Sequence, residues 1–235
     1  MAVRRTGSEA GNEERRRTRR VRWVAGGAVL ALLFAGAAVV ASARGGGESG
    51  VPAVDSADAG FARDMAVHHQ QAVEMSFIVR DRTDDEDVRR LAYDIANTQA
   101  NQRGMLLGWL DLWELPKVAP GGAGPMAWME SREGHGDHAA GHGSGAGAGS
   151  ALMPGMATKD ELKRLGGLSG KQAEVIFLQL MTDHHTGGVA MAEACVSLCA
   201  VPVEKRLASG MVEGQQSELG LMHDMLAARG AKPRT

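Results

Sequence analysis

Aromatic side chains are scarce in this chain, with four Phe, four Trp and one Tyr among 235 residues. That poverty disfavours a β-sandwich or barrel, whose cross-strand pairs depend on aromatic and β-branched side chains. Only two cysteines occur, Cys195 and Cys199, so a scaffold held by several disulfides is excluded. No histidine has a glutamate three positions before it, which rules out the Glu-x-x-His pairs of a carboxylate-bridged di-iron bundle. His-Glu-x-x-His, Gly-x-Ser-x-Gly and paired catalytic carboxylates are likewise missing, so the sequence predicts a protein that is not an enzyme.

What is present begins with a basic arm, residues 1–22, carrying eight Arg against three Glu. An uncharged apolar stretch follows over 23–43, long enough to cross a hydrocarbon core of roughly 30 Å. Positive residues stay on the cytoplasmic side, so this segment is expected to act as a transmembrane anchor, with "ASA" at 41–43 leaving a cleaved signal peptide as the alternative. Everything after a linker at 44–56 is then placed outside the membrane, either in a single-pass cell-membrane protein or in one secreted after cleavage. The net charge of −2 hides an asymmetry: the arm contributes +5, leaving −7 beyond the apolar stretch. An acidic exported domain without a basic patch attracts cations and predicts no nucleic-acid partner.

The exported part is a duplication. Displaced by 116 residues, "MAVHHQQAVEM" (65–75) falls on "MTDHHTGGVAM" (181–191), and the alignment runs on without a gap through Leu110 and Leu226, with 12 identities across 50 positions. A repeat of this kind is read before the fold. Each copy reads as a helical hairpin. Thr83 and Glu86 have capping-box spacing for a second helix ending near Trp113, as do Ser169 with Gln172 and Thr158 with Glu161 for helices beginning near Gly170 and Lys159. Pro202 suits a first helical turn. Two hairpins predict an all-α four-helix bundle over 57–228, with a tail at 229–235. The Gly- and Pro-rich crossover 116–156 is expected to be mobile.

On a helical wheel Phe61, Met65, His68, Ala72 and Met75 form one inward stripe, matched by Phe177, Met181, His184, Gly188 and Met191. His69 and His185 are expected at the edge of that stripe. On the partner helices, Leu91, Ile95, Gln102, Met105, Leu106 and Trp109 should share a face, as should Leu207, Met211, Glu218, Leu221, Met222 and Met225, with His223 turned to solvent. Neutral thioethers combined with imidazoles suit Cu(I), while imidazole alone also accepts Cu(II) or Zn(II). The expected metal ligands are therefore Met65, His68, His69, Met75, Met181, His184, His185 and Met191, with His135, His138, His142, Met222 and Met225 as weaker candidates. The bland reading of the same residues is core packing, since Met at helical spacing commonly fills gaps. The Gly187-Gly188 pair, costly inside a helix by about 1 kcal/mol per glycine, calls for close packing or a bound ion. Cys195 and Cys199 read by default as a disulfide, and soft-metal ligation is the sharper alternative.

The pattern F-x3-M-x2-HH-x3-V-x-M in both halves, with "MPGMAT" before the second, resembles the exported family called domain of unknown function 305, over about residues 57–228. The resemblance implies a ferritin-like bundle and, through a periplasmic copper-binding member linked to copper resistance, copper coordination by the paired motif residues. "TGG" after the second HH and the cysteine pair depart from the family's usual pattern. Two functions follow: an extracytoplasmic copper-binding or buffering protein, or a metal-free helical module meeting an unidentified partner in the cell envelope.

Overall fold

The computed structural model describes residues 50–130 and 151–234. The basic arm, the apolar segment 23–43, most of the linker, and the crossover histidines His135, His138 and His142 lie outside the described residues. No helix among the described residues is long and apolar enough to cross a membrane.

Four long helices dominate: α1 (Ala57–Arg80), α2 (Glu86–Leu112), α5 (Gly170–Leu198) and α6 (Pro202–Ala228). Two short ones, α3 (Ala127–Glu130) and α4 (Lys159–Gly167), lie between the pairs. Displaced by 116 residues, the limits of α2 coincide with those of α6, so the duplication seen in sequence is a duplication of structure. The described residues are helical or irregular, with no strand.

The helix starts follow local chemistry, with two departures from the expected caps. Ser56 opens α1 by accepting from the Ala59 amide, and Pro202 occupies the first turn of α6. Thr158 and Glu161 form the reciprocal capping box expected at α4. For α2, however, the cap is Asp85, whose carboxylate accepts from the Val88 amide at 2.9 Å. Thr83 is diverted: its hydroxyl accepts from the Asp85 amide and donates to Glu174 at 2.6 Å, a partner 91 residues away. Ser169 precedes α5 without capping it through its side chain. There Gly170 takes φ +51°, and its amide donates to Arg82 O at 2.7 Å, tying the start of α5 to the α1–α2 turn.

Within each hairpin the two helices pack along their length, and the hairpins approach each other most closely through α1 and α5. Two apolar clusters show that α1 and α5 run antiparallel. One joins Phe61 and Met65 of α1 to Met191 and Cys195 of α5, with Leu106, Leu110 and Met211 from the outer helices. The other joins Met75 and Val79 to Phe177 and Met181, with Ile95, Met222 and Leu226. Between the clusters lies a polar layer made by the middle of each helix.

The described ends of the crossover, residues 116–130 and 151–156, hold ordered contacts with the bundle. Residues 120–122 form a 3-10 turn, and Trp128 of α3 packs edge-on against Phe61 while its Nε1 donates to Asp64 at 2.9 Å. Met153 and Met156 are buried against the main core. Leu221 and Met105, expected inside, are exposed because they lie on the outward side of the outer helices, whereas Met222, Met225 and Leu106 point in. Leu207, Gln102, Trp109 and Glu218 lie half-buried between those extremes.

Candidate metal centre

His68 and His184 meet where α1 crosses α5, their ring centroids 3.8 Å apart. The neighbouring positions of both helices carry small, buried residues, Ala66 and Ala72 on one and Gly187 and Gly188 on the other. His69 and His185, expected at the edge, are both fully buried. A wheel drawn for one helix cannot show what lies beside it: the next position round faces the partner helix of the same hairpin. Thus His185 Nε2 donates to Glu218 of α6 at 2.6 Å, and Gln102, the counterpart of Glu218 after displacement by 116, lies beside His69 on α2.

The hydrogen bonds fix which ring nitrogens are free. His184 Nε2 donates to the backbone carbonyl of His68 at 3.0 Å, and His68 Nε2 donates to that of Pro154 at 3.2 Å. With His185 Nε2 engaged by Glu218, all three present a buried Nδ1 that has no hydrogen-bond partner among the described residues, and the one polar side chain facing the His69 ring from α2 is Gln102. Buried polar atoms are almost always paired, so these orphaned lone pairs require a reason. A ligating histidine typically donates its second nitrogen to a carbonyl or carboxylate, the state in which these three rings are held.

Burial, the largest cause, pulls the His68 imidazolium down to about 4 against a usual 6.5, although the bond to Pro154 O works the other way. His69 falls to about 3, for burial first and proximity to His68 second. His184 is likewise driven well below the usual value by burial and then by its histidine neighbours. These three rings are neutral near pH 7 and have lone pairs to offer.

The segment 153–157 closes the layer. Gln71 grips both backbone groups of one residue there, donating to Ala157 O at 2.8 Å and accepting from Ala157 N at 2.6 Å. Gly155, at φ +76°, lies against the backbone of Asp183, and Gly187 faces the Pro154 carbonyl so closely that a methyl group there would collide with it. Gly188 likewise abuts Oε1 of Gln215. Close packing, the first of the two reasons anticipated for the glycine pair, is what the structure shows.

The methionines flank this layer rather than fill it. Met65 and Met191 belong to one apolar cluster, Met75 and Met181 to the other, and all four are fully buried. Met222 and Met225 are buried in the second cluster, and His223 is exposed as expected. Among the described residues, no three His, Asp or Glu donors of the layer come within 4.8 Å of one another. One ion could therefore meet no more than two of the four imidazoles at once, and any further donor would be thioether sulfur from the flanking clusters, a set that fits Cu(I) and does not fit a hard, carboxylate-seeking ion.

The sequence profile of the family described as Domain of unknown function (DUF305) matches residues 58–226. The chain belongs to the DUF305 family. A DUF305 protein of Streptomyces coelicolor is 64% identical, with a TM-score of 0.68 over 78% of this chain and 99% of that one. A DUF305 fragment of Deinococcus radiodurans is 28% identical, with a TM-score of 0.56 over 73% and 96%. CopM in its Cu(I)-bound form is 19% identical, with a TM-score of 0.53 over 73% and 96%, a likeness of fold alone. A comparison with curated proteins finds no match.

Several residues of this DUF305 layer went unrecognised in the sequence. Gln99 and Gln215 are buried in it, the first with both amide atoms unpaired and the second with Oε1 unpaired. Their identity across the repeat was the available signal. Pro154 and Gln71 act through the backbone of a loop, which no helical pattern reveals.

Proposed function

We propose that this DUF305 protein binds and buffers Cu(I) outside the cytoplasmic membrane, with the imidazoles of His68, His69, His184 and His185 as the nitrogen donors. Thioethers from Met65, Met75, Met181 and Met191 supply soft sulfur from either side. The observation that carries the reading is the set of three buried rings whose Nε2 atoms are committed as donors and whose Nδ1 atoms are bare. A soft ion in this layer would neutralise no carboxylate and would need few ligands, which is the chemistry of Cu(I), with Cu(II) held less well. CopM, of the same fold, is known in a Cu(I)-bound form, and the Streptomyces coelicolor relative is described as a candidate secreted protein. The basic arm and apolar segment at the N-terminus support a membrane attachment or an export signal on this chain. The function is one of binding and not of catalysis.

Anaerobic titration of the full chain with Cu(I) against a chromophoric competitor tests this. Saturable binding that is lost in the His68→Ala, His184→Ala double variant is expected. An unchanged isotherm in that variant, or no uptake by the parent, would favour the metal-free envelope module instead.

A further inference from the structure

A second group of donors lies at the other end of α5, away from the histidine layer. Cys195 and Cys199 are joined by a disulfide with their Cα atoms 4.8 Å apart, the default pairing anticipated from sequence. Glu204, in the first turn of α6, is fully buried beside them, and one donor atom from each of the three lies within 4.8 Å of the others. Asp58 reaches the same corner from α1, accepting from the Ala200 amide at 2.9 Å and the Val201 amide at 2.7 Å. Among the described residues no amide, hydroxyl or cationic side chain serves the Glu204 carboxyl, whose polar neighbour and hydrogen-bond partner is the Asp58 carboxylate.

The duplication supplies an internal control. Displaced by 116 residues, Val79, Thr83, Val88 and Glu174 stand where Cys195, Cys199, Glu204 and Asp58 stand here. In that corner the two valines pack at zero exposure, and Thr83 donates to Glu174. The guanidinium of Arg229 pairs with Glu174 at 2.7 Å and with Asp85 at 2.9 Å, so both acids there have a cation. The cysteine corner holds two acids, three donor residues in place of two valines and a threonine, and no cationic side chain paired with either acid among the described residues. A helix end needing only to be packed is served by valine, as the other half demonstrates. Glu204 can stay buried beside Asp58 only by holding a proton, and a cation between the two acids would take that proton's place.

We propose that Cys195, Cys199 and Glu204 form a second cation site, closed while the disulfide is intact and opened by its reduction to a thiophilic divalent ion of the Zn(II) class. Two thiolates and a carboxylate suit Zn(II), which accepts sulfur and oxygen together, whereas Cu(I) gains little from the carboxylate. Asp58 adds negative charge at the edge of the site. A phosphine reductant balances the opening step: phosphorus takes the oxygen of a water molecule, and its two hydrogens end on the two sulfurs as the S–S bond breaks. Entry of the ion then releases both thiol protons and the Glu204 carboxyl proton to the buffer.

The test is anaerobic titration of the full chain with Co(II), a coloured substitute for Zn(II), with and without prior reduction by a water-soluble phosphine. A single equivalent giving sulfur-to-cobalt charge transfer and intense tetrahedral bands, only in the reduced chain and bleached by Zn(II), is expected. Cys195→Ser with Cys199→Ser should abolish it, and His68→Ala with His184→Ala should leave it intact. Glu204→Val, which installs the residue of the other half and should fold at least as well by circular dichroism, should weaken Co(II) binding about tenfold or more. Equal spectra before and after reduction, no thiolate band in the reduced chain, or unchanged affinity in Glu204→Val would each overturn the proposal.

Discussion

Replacing Gly187 by alanine sets two physical effects against each other. Alanine in place of glycine inside a helix gains about 1 kcal/mol. At Gly187, however, the new methyl would enter the Pro154 carbonyl and press on the Gly155 amide, backbone atoms that cannot rotate away. Overpacking of this kind costs about 1–3 kcal/mol. Gly214 of α6 is the matched control, helical, exposed and with nothing within 4 Å of an added methyl. The propensity gain is common to both, so the difference between the variants isolates the clash at about 1–3 kcal/mol, which for a domain of this size is a gap of about 2–12 °C in Tm. Thermal unfolding followed by circular dichroism measures it, with Gly214→Ala above the parent and Gly187→Ala below Gly214→Ala. Because Pro154 O also orients His68, Gly187→Ala should bind Cu(I) more weakly than Gly214→Ala. Equal melting temperatures for the two variants would show that segment 153–157 does not rest on α5, and the geometry drawn for His68 would fall with it.

The metal-free protein should be most stable near pH 6–7. Below 6.5 the unfolded chain takes up protons on His68, His69 and His184, which the folded chain refuses until about 4 for His68 and about 3 for His69. The unfolded state then binds more protons, so stability falls with acid by about 1.4 kcal/mol per pH unit for each such ring. Glu204 acts with the opposite sign. Burial first, and then Asp58, push its carboxyl from 4.5 up to about 9, so the folded chain holds a proton that the unfolded chain has lost, and stability falls as pH rises through that interval. A urea midpoint that keeps rising between pH 7 and pH 9 would contradict the Glu204 assignment, and one that does not fall from pH 6 to pH 5 would contradict the histidine assignments. Glu218→Gln should lower Cu(I) affinity about 10–100-fold in a competition titration by weakening the anchor of His185, and no change would remove Glu218 from the site. Asp58→Ala should cost about 1–3 kcal/mol in urea unfolding because the Ala200 and Val201 amides lose their acceptor, an expectation that a parent-like midpoint would refute.

Much of the helical framework was legible because it depends on local pattern. The 116-residue displacement located α6 from α2, the Thr158–Glu161 box set the start of α4, and the wheel turned His68 and His184 inward. Misreadings arose where a distant partner intervened. Thr83 has the right spacing to cap α2, yet its hydroxyl is drawn to Glu174 on another hairpin, leaving Asp85 to do the capping. His69 and His185 looked peripheral because a wheel has no knowledge of Gln102 and Glu218 on the adjoining helix. The contact of segment 153–157 with α5 was also missed, where Gly155 on the loop and Gly187 on the helix let two backbones touch. The break between the halves at Gln71 against Gly187 is where one loop crosses a nearly symmetric pair.

X-ray absorption at the copper edge of the Cu(I)-loaded full chain addresses the central claim most directly. A first shell containing both imidazole nitrogen and thioether sulfur, with the nitrogen scattering lost in the His68→Ala, His184→Ala variant, is the predicted result. A shell without sulfur, or one that persists unaltered in that variant, would place the ion elsewhere and contradict the account.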